Sequence, residues 1–410
     1  MKKLLTYVKS VYQIPQKIKC LSDNRKRKSI PLCNIVMPVF LMLMLQYESF
    51  HTIFTSPESM GKRLRNCIKG KIPKVDAVRD MLSIVEPQEI RAIHESVIDR
   101  ISRNRVFCGG TIGGYVTVAI DGVELFSSTK KVDPEALCRK LKSGETEYFY
   151  RSVVCATIGE SPHIVLGQEM LKPRDGSDKD EGELTGGKRL IRHLKERHGH
   201  FADVIVADAL YLNAPYINTV LECGMEAVIR LKDERRLIYQ DAEKMFNKGY
   251  GKVPSFSKKD KKSKKDIDVE IWDLCQFEID GVEKKLRVLR FNETYGRENN
   301  KESRTMWLVT TLETAPPETL WEMMRKRWDI ENNAFHQLKT YYNIDHCYCG
   351  SAVEVIFQLI LLGFNMRELY LYRRLHNFSD SKITLKSATR KFCDDLLTDN
   401  FKSTLYSDTG

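Results

Sequence analysis

Two apolar runs with the alternation of β-strands each stop at an aspartate. Tyr115–Asp121 reads YVTVAID and Val204–Asp208 reads VIVAD. A third carboxylate, Glu331, lies in Arg325–Tyr342 (RKRWDIENNAFHQLKTYY), a segment whose pattern predicts a helix. Side chains at the ends of buried strands emerge at a sheet's carboxyl edge, so the chain is constrained to an α/β fold that gathers strand, strand and helix at one place. Three carboxylates so gathered offer hard oxygen ligands, and a shared aspartate bridges two divalent ions about 3.5–4 Å apart in two-metal sites. Taken singly, each has an ordinary explanation. Asp121 before Gly122 suits a turn, Asp208 suits a turn or helix cap, and Glu331 four residues after Arg327 suits a helical ion pair. Their joint order carries the chemistry.

The remaining pattern predicts the organisation. Residues 1–105 read as helical, with one apolar helix over Pro31–Phe54 and amphipathic helices over Val75–Val85 and Pro87–Asn104, where Ile90, Ile93, Ile98 and Ile101 fall at helical spacings. Strands follow at Tyr115–Asp121, Glu147–Ile158 and His163–Met170, then a polar loop at Pro173–Asp180 and a helix at about Glu181–Gly199. Strand Val204–Asp208, a short helix over Ala214–Cys223 and strand Ala227–Leu231 complete this part. Three antiparallel strands before alternating units predict a mixed sheet with helices on both faces. The stretch 232–316 reads as a β-rich insertion with strands at Asp268–Phe277, Lys285–Phe291 and Thr305–Thr311 and a lysine-rich loop, Lys258–Lys265. The helix with Glu331 starts after Pro316–Pro317, and a second spans about Ala352–Leu375. The expected division is a helical module at 1–105, a core in two parts at 106–231 and 317–375, the insertion at 232–316 and a tail at 376–410.

The net charge of +11 is unevenly placed. Residues 1–105 hold 20 Lys/Arg against 9 Asp/Glu, whereas the remainder balances at 46 against 46. A basic N-terminal module predicts a polyanionic partner, most simply DNA, with the cluster Arg25, Lys26, Arg27 and Lys28 as candidate contacts. A solvated basic surface is the alternative. Eleven cysteines without a CxxC pair predict a reducing, cytoplasmic setting, and DNA as partner places the protein with the nucleoid. Cys347 and Cys349, near His336 and His346, have an atypical spacing for zinc. The apolar run Ile35–Tyr47 is too short to span a bilayer and contains Pro38, no signal peptide is expected, and no membrane partner is predicted.

The block Arg327–His346 (RWDIENNAFHQLKTYYNIDH) resembles the C-terminal signature of DDE transposases of the insertion-sequence-four type, in which an Arg, a catalytic Glu and a Lys share one helix. VAIDGVELFSS around Asp121 resembles that family's first aspartate motif, and VIVADALYLNAPYI around Asp208 its second. The resemblance covers about Gly113 to Arg373. It implies an RNase H-like mixed-sheet catalytic core with a β-strand insertion. It also implies hydrolysis and strand transfer at the ends of a mobile DNA element, with Mg²⁺, or Mn²⁺ in its place, as cofactor. Asp121, Asp208 and Glu331 are then the catalytic, metal-holding residues, Arg327 and Lys339 contact DNA phosphates, and a protein dimer works in a synaptic complex on element ends and target site. Two positions depart from the pattern. The family's Tyr three residues before the Arg is Met324, and its Lys seven residues after the Glu is Leu338, with Lys339 one later. Trp307 in the insertion suits a core position or a base-holding aromatic. The rival readings are a catalytically inactive, transposase-derived DNA-binding protein and a metal-dependent nuclease without joining activity.

Overall fold

In the computed structural model, the described residues are 2–26, 28–50, 74–130, 133–174, 180–259, 266–295 and 302–374. Helices α1 (Lys2–Ser10), α2 (Ile14–Lys19), α3 (Cys33–Met44), α4 (Val75–Leu82) and α5 (Pro87–Arg103) come first. The apolar helix expected over Pro31–Phe54 is found shorter, as α3, because the chain closes it through Gln46 in a left-handed conformation at φ 63°; residues 51–54 of that expectation lie outside the described ones. Ile90, Ile93, Ile98 and Ile101 of α5 are all buried, as their spacing requires.

Ten strands form one sheet: β1 (Thr117–Ser128), β2 (Leu137–Lys140), β3 (Thr146–Thr157), β4 (Val165–Met170), β5 (Val204–Ala207), β6 (Glu226–Leu231), β7 (Lys252–Lys259), β8 (Asp266–Phe277), β9 (Leu286–Tyr295) and β10 (Glu302–Thr310). The order is β2-β3-β1-β5-β6-β10-β9-β8-β7, with β4 also on β3. The strands β1, β5 and β6 run parallel, while β3 lies antiparallel to β1 and to β4. The β-rich stretch continues this sheet through antiparallel pairing of β10 with β6. Interspersed are α6 (Glu183–His198), α7 (Ala214–Glu222) and α8 (Leu237–Asn247); α9 (Pro317–Lys326), α10 (His336–Tyr342) and α11 (Val353–Arg374) follow.

Three local expectations change. The first strand does not end at Asp121 but runs on to Ser128, because Gly122 continues the ladder opposite Val153 of β3. Lys258 and Lys259 belong to strand β7, the outermost of the sheet, where lysines are tolerated because one edge faces water; residues 260–265 lie outside the described ones. The segment 235–251, read as part of a β-rich stretch, contains α8. The 376–410 tail also lies outside the described residues.

One apolar core runs through the molecule, from Leu4 of α1 to Tyr370 of α11. Every residue of α3 from Ile35 to Met44 is buried, and its cover includes α11. Gly363 of α11 makes the crossing close: a Cβ there would stand 3.0 Å from the Met44 Cα. The N-terminal helices therefore share their core with the C-terminal helix.

Candidate active site

The parallel ladder brings two carboxylates to the same end of neighbouring strands. Ala119 of β1 pairs with Val206 of β5, so two residues further on each strand come Asp121 and Asp208. The strand β5 stops at Ala207, and Asp208 opens a single 3₁₀ turn, Ala209–Tyr211. Asp121 thus sits mid-strand but at the edge where the parallel pairing runs out.

The third carboxylate arrives on a helix of unusual geometry. Pro316 and Pro317 start α9, and Ile330–Phe335 forms a π turn before α10. The His336 N–H bonds to the Glu331 carbonyl, five residues back instead of four. Such π turns insert one extra residue into a helix and are frequent at functional sites. Glu331 lies on this turn.

Arg327 ties the pieces together. Its side chain is 3% exposed, with one Nη 3.2 Å from Asp121 Oδ2 and the other 3.0 Å from Glu331 Oε1. The helical ion pair expected with Glu331 is present, and a second pair reaches across the fold to β1. The guanidinium also lies 4.9 Å from the ring centre of Trp328, which is exposed.

Electrostatics separate the two aspartates. Burial pushes the Asp121 carboxyl up to about 6; Arg327 and the Gly122 N–H pull against that, and Glu183 and Glu331 add to it. Asp208 is also desolvated, yet its carboxyl is held below its ordinary value. The Ala209 N–H, Lys232 at 3.1 Å and the positive charge of Arg327 outweigh burial. Neither Glu183 nor Lys232 was singled out from sequence. Lys232 follows a strand with no motif around it. For Glu183 the available signal was Gly122, whose missing side chain makes room for the Glu183 carboxylate.

The donor set is all carboxylate oxygen, which suits a hard divalent cation. The under-compensated Asp121 fits it as well, since a cation there relieves the charge that burial and its acidic neighbours disfavour. As the side chains stand, Arg327 occupies the space between Asp121 and Glu331, and among the described residues no three acidic, His or Cys side chains converge into a metal cluster. Cys347, Cys349, His336 and His346 form no such cluster either.

The other candidate contacts are placed as follows. Lys339 is exposed on α10, whereas Leu338 is buried. Lys26 and Lys28 are exposed, and Arg27 lies outside the described residues. Arg25 already has structural work, with bonds to Asp23 at 2.6 and 2.7 Å and to the Ile30 carbonyl at 2.6 Å. Trp307 is buried, its ring centre 4.5 Å from that of Tyr239. Beside Trp328 a cavity of about 590 Å³ is lined by Arg230, Arg304, Arg325 and Tyr295.

The family described as transposase DDE domain matches residues 139–366, a span that includes Asp208, Arg327, Glu331 and Lys339 and begins after Asp121. No curated protein matches the chain. Among solved structures, the NurA nuclease from Sulfolobus solfataricus is similar at 10% identity, over 58% of this chain and 84% of that one. Its TM-score of 0.25 is too low to bear on the fold. Among the described residues, no helix is long and apolar enough to cross a membrane.

Proposed function

Because this chain belongs to the transposase DDE-domain family, we propose that it is a DNA transposase of the insertion-sequence-four type, cutting and joining the ends of a mobile element. The observation that carries the reading is the buried fork of Arg327, which joins Asp121 on a strand to Glu331 on a π turn, while Asp208 follows the end of the neighbouring parallel strand. The strand sequence β4-β3-β1-β5-β6, three antiparallel strands followed by two parallel additions, supports an RNase H-like core. The β7–β10 extension fits the insertion, residues 1–105 fit the end-binding module, and the partner in catalysis is a second copy of the chain on paired ends.

Asp121, Asp208 and Glu331 would hold Mg²⁺ or Mn²⁺. When bound, the metal supplies an activated water or 3′-hydroxyl and stabilises the leaving oxygen. The chain's own groups do the rest. Arg327 holds Asp121 and Glu331 in register with one Nη on each, and a phosphate contact would require it to release one of them. The Ala209 N–H and Lys232 hold the Asp208 carboxyl below its ordinary value against the burial that raises it. The arginines around the cavity beside Trp328 suit the flanking backbone.

The departure at the lysine has a physical account. Residues seven apart on an α-helix return to within about 20° of the same face. One inserted residue moves that return to the eighth position. The π turn between Glu331 and Lys339 is that insertion, so Lys339 takes the place the pattern gives to a residue seven after the Glu. It serves as a point charge for phosphate.

The test uses a duplex carrying the inverted repeat from DNA flanking the coding region, with Mg²⁺ and a target plasmid. Cleavage followed by joining is expected, and Asp208→Ala should abolish both while leaving binding measurable. Cutting without joining would favour the nuclease reading, and binding without cutting the inactive DNA-binding protein.

A further inference from the structure

A fourth carboxylate stands behind Asp121, on the other face of the sheet. Consecutive strand residues point to opposite faces. Asp121 reaches Arg327 on one face, and Gly122 faces Glu183, in the first turn of α6, on the other.

Glu183 is 9% exposed at its side chain and touches three elements. Arg151 of β3 pairs with its Oε1. The Tyr211 hydroxyl donates to its Oε2 at 3.3 Å. Its carboxylate rests against Gly122, where an added Cβ would lie 2.3 Å from Oε1 and 2.8 Å from Oε2. Gly122 is not among the left-handed glycines; its missing side chain leaves the room that the end of the Glu183 side chain fills, so a methyl there would push the carboxylate aside. Tyr211 is fully buried, and its N–H bonds to the Asp208 carbonyl at 3.0 Å. Through these contacts Glu183 links the residue after Asp121 to the turn that follows Asp208.

An apolar side chain would fill the same space without the cost of burying a charge. What a carboxylate adds is direction: it accepts from Arg151 and Tyr211 at once, which sets the edge of β1 and the turn after β5 in one geometry. We propose that Glu183 is a positioning residue for the carboxylate site, a strut that fixes Asp121 relative to Asp208; this rests on the transposase reading above. The proximity is also felt electrostatically, since Glu183 is among the charges that disfavour ionisation of Asp121.

The experiment uses the full-length protein and three variants. Glu183→Gln keeps the shape and weakens the pairing with Arg151. Gly122→Ala displaces the carboxylate without removing a charge. Leu190→Ala opens a cavity under the same helix, away from the carboxylates, and serves as the packing control. Cleavage of the end duplex is followed against Mg²⁺ concentration, with DNA affinity in EDTA and thermal unfolding measured alongside. Glu183→Gln and Gly122→Ala should each raise the Mg²⁺ concentration for half-maximal cleavage about tenfold and lower the maximal rate, with DNA affinity unchanged. Leu190→Ala should lower the unfolding temperature and leave the Mg²⁺ dependence alone. Should Gly122→Ala fail to fold, Tyr211→Phe, which removes one donor only, should shift the Mg²⁺ dependence in the same direction by a smaller factor. Wild-type Mg²⁺ dependence in Glu183→Gln together with Gly122→Ala or Tyr211→Phe would reduce Glu183 to packing and overturn the proposal. A wild-type protein without metal-dependent cleavage would instead overturn the transposase reading itself.

Discussion

Replacing Asp121 with Asn removes a charge from a place that disfavours it. Burial, with Glu183 and Glu331 adding to it against Arg327 and the Gly122 N–H, moves the carboxyl from 3.8 to about 6. A carboxyl that holds its proton more tightly in the folded state costs stability as pH rises: the loss begins near 3.8, is complete above about 6, and is absent below 3.8. The neutral amide escapes that loss. At 1.36 kcal/mol per unit, the Asn variant should be more stable than wild type by about 3 kcal/mol at pH 7.5 and by about 1.6 kcal/mol at pH 5. The ion pair with Arg327 is already counted in the shift, and Arg327 keeps Glu331 as a partner in the variant. Urea unfolding of both proteins in EDTA, at several pH values, measures the gap. Adding Mg²⁺ at pH 7.5 should narrow it, because a cation stabilises the ionised wild-type site in proportion to RT ln(1 + [Mg²⁺]/Kd). A variant no more stable than wild type at pH 7.5, or a gap that ignores pH, would refute the account of burial and like charge.

Arg327→Lys keeps the charge but cannot span Asp121 and Glu331 with one ammonium; cleavage should fall at least about tenfold at little cost in unfolding temperature, and wild-type cleavage would show the fork to be dispensable. Lys339→Ala should reduce the slope of log affinity for end DNA against log salt by about 0.9, whereas an unchanged slope would remove Lys339 from the phosphate contacts. Gly363→Ala puts a methyl against the Met44 backbone and should cost about 1–3 kcal/mol in urea unfolding, with a neutral result showing that α3 and α11 can separate freely.

Alternation makes five of the ten strands legible to within two residues: Glu147–Ile158 is expected and Thr146–Thr157 is observed, and Val204–Asp208 becomes β5 with Asp208 just beyond it, whereas β1, β9 and β10 differ by more and the short or charged β2 and β7 carry no such signal. Gly122 misled because a glycine after an aspartate reads as a turn, whereas here it clears space for a side chain from a distant helix. The lysines of β7 give a loop-like pattern because charge on an outermost strand carries no apolar signal. The π turn had no residue-type signature at all, being a shift in backbone bonding; its trace was the lysine one place late. The two partners of Arg327 illustrate the division between local and long-range information. Its pair with Glu331 follows from a four-residue spacing, but its pair with Asp121 joins residues 206 positions apart and needs the whole sheet to exist.

The shared core of α3 and α11 sets a timetable for the newborn chain. The apolar residues of α3 leave the ribosome more than 300 residues before α11, which helps to cover them, has been made. At 5–20 residues per second that interval is about 15–60 s. Throughout it, a helix with ten consecutive residues destined for the interior stands without its final partner, open to chaperones and to other nascent chains. Shelter for this waiting segment is thus a requirement of synthesis that the finished molecule, with the segment covered, no longer has.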